Sequence, residues 1–417
     1  MREYFKALVA RYFEYYLLPG ALVLRIGLDE GLGNDLPGLG GTQGAISPDY
    51  VVLDGNLHVV DDIQGFLDRI HSVCGPSTRI LIAYYSSLWR PALKVADLLG
   101  IRKGPSAQNW VSPSDVENFL ELSDFELVSS SRRVLMPVPI PLLSDFINRW
   151  IAPLPVFNWF ALLNLAVVKP KSVNPGALPS VSVVVAARNE AGNMEALFRR
   201  LPRMGAATEL VVIEGGSTDS TWAELERLSG VDHGSLRVKI AKQDGKGKGD
   251  AIRKGFDLAT HDVLMILDAD LTVPPEDLPR FYEALAKGRG EFINGSRLVY
   301  PMEKKAMRFF NMIGNKFFAL AFSFLLGRNF KDTLCGTKVM SREQYRRLAM
   351  NRGFFGEFDP FGDFDLIFGA SRLGLKMIEL PVHYRDRVYG ETNISRWKHG
   401  WILLKMVWFA ARKMRFI

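Results

Sequence analysis

The stretch DVLMILDADLTVPP, residues 262–275, decides the fold class, because an uninterrupted apolar run ends there in Asp268 and Asp270. Three similar apolar runs precede it, namely VSVVVAA at 181–187, ELVVI at 209–213 and LRVKIA at 236–241. Helical patterns near 193–203, from about 220 and near 250–258 separate them. Such alternation predicts an α/β fold with a parallel sheet covered on both faces. Ligands bind these sheets at the carboxyl ends of the strands.

Polar residues follow each of these runs. They are Arg188, Asn189 and Glu190 after the first, EGGSTDST (214–221) after the second, QDGKGKGDA (243–251) after the third and Asp268 and Asp270 after the fourth. The period of an extended backbone directs the two aspartates to one side, where hard oxygen ligands suit Mg²⁺ or Mn²⁺. The alternative is that the pair caps the next helix. That helix is predicted to start at Pro274 and Pro275, with Thr272 or Val273 available before it.

The loop GKGKGDAIRKGF, residues 245–256, places three glycines around Lys246 and Lys248 just before a predicted helix. Glycines let a backbone approach phosphate closely, and lysines offset its charge. The order of residues is not that of a Walker loop. The alternative interpretation is a mobile surface turn.

The chain of 417 residues is long enough for two domains. A Pro-rich segment at 169–179, KPKSVNPGALP, marks the predicted boundary. The net charge of +7 is concentrated at 396–417, which holds six Lys or Arg and no acid. Because tryptophans interleave with these cations, the tail suits an anionic membrane surface, and no nucleic-acid partner is expected. The alternative is a solvated helix face packed on its own domain.

The first sixteen residues carry charges throughout, so export is not expected. With only Cys74 and Cys335, a disulfide framework is excluded and a reducing compartment fits. No apolar run reaches the length of a bilayer span. The expected location is cytoplasmic, peripheral on the inner face of the cytoplasmic membrane.

Seven blocks carry a resemblance to a known family. They are VVVAARNEAGN (183–193), VVIEGGSTDST (211–221), GKGKGDAIRKGF (245–256), VLMILDADLTVPPEDL (263–278), DTLCGTKVMSR (332–342), FGDFDLIFGASRLGLKMIELPV (361–382) and YRDRVYGETN (384–393). In this order they resemble glycosyltransferase family 2, with its GT-A fold, and within it the dolichyl- or polyprenyl-phosphate sugar synthases. The resemblance covers about residues 180–398.

The resemblance implies a metal-dependent, inverting transfer of a sugar from a UDP- or GDP-linked donor. Arg188, Asn189, Glu190 and Glu214 would hold the nucleoside, with Lys246 and Lys248 near the phosphates, Asp268 and Asp270 on the metal and diphosphate, and Arg385, Arg387, Thr392 and Asn393 in a mobile segment that closes on phosphate. Where many relatives have two acids, this chain has Glu214 and Gly215. The choice between uridine and guanosine therefore stays open.

Asp363 and Asp365 are the candidates for the acceptor side, with Asp270 as the third catalytic candidate. A sugar hydroxyl of a cell-envelope glycan would need a general base, whereas a polyprenyl-type lipid phosphate is already ionised. Two stretches, 306–326 and the tail 397–417, are where a membrane could be met. In the tail, Lys398, Lys405 and Arg412 are predicted on one helical face, and Trp397, Trp401, Leu404 and Trp408 on another.

The amino-terminal region resembles an S-adenosylmethionine (SAM) methyltransferase. The resemblance rests on ALVLRIG (21–27) with Gly31 and Gly33, and on three later stretches, 48–70, 78–91 and 108–129. About twenty residues separate the first two strands, too few for the crossovers and strand that carry the ribose-binding acid. Asp29 and Glu30 also stand where close backbone approach is needed. A shortened, catalytically silent domain is expected, with SAM binding unlikely.

The predicted organisation is a truncated methyltransferase-like domain at 1–170, a linker at 171–179, a GT-A family 2 domain at 180–396 and a basic amphipathic helix at 397–417. Two alternatives remain open at this point. One is a working SAM-dependent methyltransferase fused to a sugar-nucleotide-binding module. The other is a scaffold that binds nucleotide without turnover.

Overall fold

A computed structural model describes residues 2–27, 47–100, 108–171, 178–300, 309–354, 362–390 and 396–417. The chain divides into two compact units. The first unit comprises residues 1–172 together with 411–417, and the second comprises residues 173–410.

The first unit is built on a five-stranded sheet. Its strands are β1 (Val23–Ile26), β2 (Tyr50–Asp54), β3 (Arg79–Tyr85), β4 (Phe125–Arg133) and β5 (Leu163–Pro170), and its helices are α1 (Arg2–Glu14), α2 (Ile63–His71), α3 (Arg90–Leu98), α4 (Pro113–Leu122) and α5 (Leu143–Phe146). Short 3-10 segments lie at Asn56–His58, Ser87–Trp89 and Phe157–Phe160, and π-helical turns at Ile147–Ile151 and Ala411–Arg415.

The strand order in this sheet is β1-β2-β3-β5-β4. The first three strands are parallel, and β5 runs antiparallel to both β3 and β4. Alternate side chains of these strands fill two apolar cores, one on each face. The methyltransferase-like assignment stays a prediction, because the turn with Asp29, Glu30, Gly31 and Gly33 lies outside the described residues.

The second unit is built on a seven-stranded sheet. Its strands are β6 (Val181–Ala187), β7 (Thr208–Glu214), β8 (Leu236–Lys242), β9 (Val263–Ile266), β10 (Phe292–Ser296), β11 (Lys338–Ser341) and β12 (Met377–Pro381). Its helices are α6 (Ala191–Arg200), α7 (Thr221–Ser229), α8 (Lys248–Leu258), α9 (Leu278–Ala286), α10 (Phe309–Leu326), α11 (Arg342–Met350), α12 (Asp363–Arg372) and α13 (Arg396–Ala410), with 3-10 segments at Pro275–Asp277 and Arg352–Phe354.

The strand order in the second sheet is β12-β10-β11-β9-β6-β7-β8. The four strands predicted from the apolar runs are confirmed as a parallel set, β9-β6-β7-β8. A wholly parallel sheet is wrong, however, because β11 runs antiparallel to both of its neighbours. Gly255 lets α8 pack closely on β6, since a side chain there would overlap Val184. This packing holds the glycine-rich loop at the carboxyl ends of the strands.

The described parts of the two stretches predicted to meet a membrane form α10 and, in the tail, α13 with the π-helical turn that follows it. None of the described helices combines the length and apolarity that a bilayer span requires. In α13, Trp401 and Trp408 are exposed, as an interfacial stripe would be. The predicted separation of basic and aromatic faces is not observed at Lys405, whose ammonium lies 5.6 Å from the centre of the Trp401 ring. Residues four apart share one side of a helix, which explains the pairing.

Candidate functional site

Two carboxylates lie at the carboxyl end of β9, each in an ion pair with a cation from another element. The Lys248 ammonium, at the first residue of α8, is 2.7 Å from an oxygen of Asp268. The Arg387 guanidinium donates to Asp270 at 2.6 Å. Asp270 also accepts from the backbone N–H and the hydroxyl of Thr272. It therefore shapes its own turn and does not cap the following helix, as predicted.

Neighbouring charge keeps Asp268 ionised. Burial raises the pKa of this carboxyl. The positive charges of Lys248, Lys338 and Arg297 lower the pKa by a larger amount, so that it lies below its ordinary value. Arg297 is itself held by two hydrogen bonds to the buried carboxylate of Asp332, at 2.7 and 2.8 Å. The Asp268 carboxylate at the end of β9 is thus surrounded by positively charged side chains.

The turn after β6 organises the loop after β7. Asn189 adopts a left-handed conformation with φ of +56°, and its amide oxygen accepts from the Thr218 backbone at 2.8 Å. Its own N–H donates to the Ser217 hydroxyl at 3.0 Å. Glu214, at the end of β7, accepts from the backbone N–H of Ser217. Two predicted nucleoside ligands therefore also fix the backbone of the loop at 215–219.

Glu190 is buried and shares the Arg387 guanidinium with Asp270. Its carboxylate accepts from the Asn193 amide at 2.6 Å and lies 3.6 Å from the Arg387 guanidinium. Burial raises its pKa to about 7, with Asp270 adding to the rise and with Arg387 and Asn193 opposing it. Arg387 consequently bridges two acids, Glu190 and Asp270.

Tyr389 and Asp219 complete the rim and were not among the predicted site residues. The Tyr389 hydroxyl donates to Asp219 at 3.3 Å, and its ring lies against Gly192, where a side chain would overlap it. Asp219 also accepts from the backbone N–H of Ala191 at 3.3 Å. Burial raises the pKa of Asp219, but the hydrogen bonds from Thr221 and Ala191 lower it more. Both residues lie inside sequence blocks that carry the family resemblance, and this position was the feature of the sequence that could have identified them as site residues.

Gly336 is a second residue that sequence reasoning missed. A side chain at this position would overlap the Asp268 carboxylate. The loop before β11 therefore needs a glycine to pass the metal-ligand candidate. The block DTLCGTKVMSR contained this glycine, but only the fold shows which carboxylate it faces.

Other predicted site residues are not joined to the two aspartates. Lys246 and Arg188 are exposed. Arg385 is exposed as well. The pKa of Glu276 is lowered mainly by Arg200, and the charge of Arg385 adds to this effect. The Arg385 backbone N–H, by contrast, donates to Thr272 at 2.9 Å. Thr392 and Asn393 lie outside the described residues.

The acceptor-side candidates stand at the start of α12. The side chain of Asp363 lies outside the described residues, while Asp365 is buried. An oxygen of Asp365 is 3.7 Å from the Arg253 guanidinium and 4.0 Å from that of Arg352. Gly362 brings this end of α12 against Gly249 of α8, where a side chain would be too close. The start of α12 therefore lies next to the glycine-rich loop.

The donor set at β9 fits a divalent ion that binds jointly with a diphosphate. Asp268 and Asp270 offer hard carboxylate oxygens, and the glycine at 336 leaves room beside the first. No cluster of three or more acidic, His or Cys side chains suited to a metal occurs among the residues that the structure describes. Mg²⁺ commonly binds through one or two carboxylates plus substrate phosphates, so two protein ligands suffice.

Comparison with known proteins relates the sequence of the second unit to one family. Residues 182–349 match the family model described as glycosyl transferase family 2. The chain thus contains family 2 glycosyltransferase sequence over these residues. It is 29% identical over 222 residues to dolichol-phosphate mannosyltransferase of Pyrococcus furiosus, an alignment that covers 52% of this chain and 59% of that protein.

A second relative is undecaprenyl-phosphate 4-deoxy-4-formamido-L-arabinose transferase of Pseudomonas aeruginosa, 35% identical over 120 residues, covering 28% of this chain and 35% of that one. The chain thus spans between about a third and three fifths of the length of these two relatives. A solved structure of glucosyl-3-phosphoglycerate synthase from Mycobacterium tuberculosis with UDP has 20% identity and a TM-score of 0.42, over 57% of this chain and 80% of that one, a likeness too low to inform the site.

Proposed function

We propose that the family 2 domain transfers a sugar, with inversion, from a nucleoside-diphosphate sugar to a polyprenyl-type lipid phosphate, with Mg²⁺ or Mn²⁺ as cofactor. One observation carries the proposal. At the carboxyl end of β9, two carboxylates are each paired with a cation that can also pair with phosphate, Lys248 on Asp268 and Arg387 on Asp270. The carboxylates that could bind a metal and the cations that could bind a diphosphate are therefore in direct ion-pair contact.

Donor binding exchanges the partners of these groups. Both cations are paired with carboxylates, and about a quarter of each side chain is open to water. A diphosphate offers them charge-assisted hydrogen bonds of equal quality, and Arg387 presents a planar fork suited to two phosphate oxygens. The carboxylates are then released as ligands.

Asp268 and Asp270 would hold the divalent ion, which when bound supplies positive charge against the charge that grows on the leaving diphosphate. Lys248 and Arg387 act in the same direction from the protein side, because fixed cations in a partly buried site stabilise developing negative charge strongly. Arg297 and Lys338 add positive charge around Asp268, and Asp332 fixes the position of Arg297.

Arg188, Asn189, Glu190 and Glu214 are proposed to face the nucleoside. Support comes from the turn of Asn189 and from Glu214, which together fix the loop at 215–219 beside the strand ends. Gly215 stands where many members of the family that the sequence resembles have a second acid. Uridine and guanosine both stay open as bases.

The acceptor is proposed to reach the donor at the start of α12. A lipid phosphate is ionised already, so Asp363 and Asp365 need only position it, whereas a hydroxyl of a cell-envelope glycan would need one of them as general base. The contacts of Asp365 with Arg253 and Arg352 suit a positioning role. The names of the two curated relatives support the lipid-phosphate acceptor, since they specify dolichol phosphate and undecaprenyl phosphate.

The methyltransferase alternative is not favoured by the family match. A nucleotide-binding scaffold remains as an outcome of the test. The purified chain is incubated with UDP- and GDP-linked sugars and a polyprenyl phosphate in detergent, with Mn²⁺, Mg²⁺ or EDTA. We expect a glycolipid whose anomeric configuration is opposite to the donor's, formed only with a divalent ion.

Each result decides one element of the proposal. If the product forms equally well in EDTA, the reaction does not need a divalent ion. If the product retains the anomeric configuration of the donor, the sugar is not transferred in a single inverting displacement. Thermal stabilisation by a nucleotide sugar without any turnover would support the scaffold.

A further inference from the structure

The segment at residues 138–160 of the first unit, called here the inverted segment, exposes its apolar side chains. Leu142 is 89% exposed and Trp159 is 62% exposed. Further large apolar side chains open to solvent there are Ile140, Phe146, Phe157 and Phe160. Single exposed apolar residues are common on soluble proteins, whereas a contiguous set within some twenty residues marks an interaction surface.

Two uncharged polar side chains of the same segment point inward. Ser144 and Asn148 are 1% and 2% exposed. Ser144 donates to the Val138 carbonyl at 2.6 Å and accepts from the Ile140 N–H at 2.8 Å. Asn148 accepts from the backbone N–H groups of residues 135 and 136, both at 2.9 Å. Because hydrogen bonds satisfy the backbone from within, the outer surface is left apolar.

The backbone holds this arrangement at some cost. Leu142 and Val156 have φ angles of +63° and +70° with ψ angles of −41° and −56°, the geometry of the rare and strained γ-turn of positive φ. Both side chains are exposed, so burial in the protein does not offset the strain. An apolar environment outside the protein would offset it.

Positive charge borders the inverted segment. The tail at 411–417 lies against it, with the Phe416 ring stacked on Trp150 at 5.0 Å and the Arg149 guanidinium donating to the Phe416 carbonyl at 2.9 Å. The same short tail carries Arg412, which is exposed, and Lys413, four and three residues before this contact. Against these cations the inverted segment contains one acid, Asp145. The surface is therefore apolar at its centre and cationic at its border.

We propose that the inverted segment is a membrane-docking surface, which places its aromatic and leucine side chains in the interface of an anionic lipid bilayer. Trp, Phe and Leu are the side chains that partition into the bilayer interface, and neighbouring Arg and Lys attract anionic lipid headgroups. The inference rests on the first unit alone. It goes beyond the proposed transfer reaction and does not depend on the donor site.

The test measures co-sedimentation of the full chain with vesicles of phosphatidylcholine, with or without phosphatidylglycerol. We expect binding that increases with phosphatidylglycerol and weakens with salt. The double variant Leu142→Glu/Trp159→Ser should bind at least about tenfold more weakly, because it removes two interfacial anchors and adds negative charge. Leu98→Glu is the matched control, since Leu98 is 87% exposed in the same unit and lies outside the segment. It should bind like the wild type.

Three outcomes would overturn the inference. Equal vesicle binding by the double variant and by Leu98→Glu is the first. The second is a loss of binding in Trp401→Ser alone, which would assign the membrane contact to α13. The third is wild-type self-association in solution that the double variant abolishes, without any vesicle binding, which would make the surface a contact between copies. Donor hydrolysis in detergent, measured on each variant, reports separately on folding and on the transfer site.

Discussion

The two sheets treat polar side chains at the carboxyl ends of their strands in different ways. In the first unit, Asn56 donates to the backbone carbonyls of Ile26 and Gly27, both at 3.2 Å. His58 accepts from the Tyr85 N–H at 2.7 Å, and its other ring nitrogen lies 2.7 Å from the Asn109 carbonyl. The Asn56 amide nitrogen and the His58 ring thus bind backbone groups, whereas the buried side-chain oxygen of Asn56 has no hydrogen-bond partner among the described residues.

In the second unit, the corresponding edge places charged side chains against each other. Lys248 with Asp268 and Arg387 with Asp270 are pairs whose partners a charged ligand can replace. The comparison teaches that a polar strand end is not by itself a site. Side chains bound mainly to backbone groups indicate a structural edge, whereas ion pairs that a ligand can open indicate a functional one.

The largest expected effect is on catalysis at the second edge. Asp270→Asn should lower the rate of transfer by about 10³-fold, because the carboxylate serves the divalent ion and the diphosphate. The unfolding temperature should change little. Asp244→Asn is the matched control, since that exposed carboxylate follows β8 at the same edge of the sheet and pairs with Lys254. Unaltered transfer kinetics in Asp270→Asn would contradict the assignment of the second edge as the functional one.

Gly336→Ala should lower transfer by about 10²-fold, because a methyl group there displaces the Asp268 carboxylate from its position. Gly314→Ala, on α10, is the control, since a side chain there meets no atom within 4 Å. Steady-state kinetics in saturating metal measure the effect. An effect of equal size in both variants would show that glycine flexibility, and not the position of Asp268, controls the rate.

A third substitution addresses the first edge. His58→Ala should lower the free energy of unfolding by about 3 kcal/mol, since it leaves a buried backbone N–H without its acceptor and opens a cavity. Transfer kinetics below the unfolding temperature should stay within about twofold of wild type, because no reacting group is touched. Denaturant unfolding measures the change, with the exposed Gln64→Ala as control. A loss of transfer without a loss of stability would contradict the structural assignment of this edge.

Much of the second sheet could be predicted from the sequence. Strands β6 to β9 lie within about two residues of their predicted bounds, because continuous apolar runs leave little choice of element. The short β10 and β11 and the antiparallel direction of β11 were missed, since they depend on pairing between distant segments.

The site was predicted less completely than the sheet. Residue types alone cannot distinguish Lys248 from Lys246, or Arg387 from Arg385. The start of α8 and the path of the chain after β12 decide which cation meets a carboxylate. The inverted segment was also missed, because an apolar stretch rich in Leu, Trp and Phe predicts a core, and only tertiary structure shows that it faces outward.

The smallest expected effect concerns a saturated charge at the opposite end of the second sheet. Glu209, near the start of β7, is fully buried and accepts from Ser182 and Thr260, while the Lys239 ammonium lies 2.7 Å away. Burial raises its pKa, but Lys239, Ser182 and Thr260 lower it more, to about 2. A carboxyl whose pKa is lower in the folded than in the unfolded chain stabilises the fold above the unfolded value, and this contribution is lost as pH falls toward 2.

Glu209→Gln should therefore reduce the free energy of unfolding at neutral pH by about 2 kcal/mol, a moderate value because water screens the half-exposed Lys239. The difference from wild type should shrink as pH falls from about 4.5 toward 2, the interval between the unfolded and folded pKa values. Urea unfolding across this range measures it, with the exposed Glu226→Gln as control. A difference that does not change with pH would show that packing, and not the charge of Glu209, stabilises this end of the sheet. A difference that follows pH would show that the second sheet uses saturated charge for stability at one end and exchangeable charge for chemistry at the other.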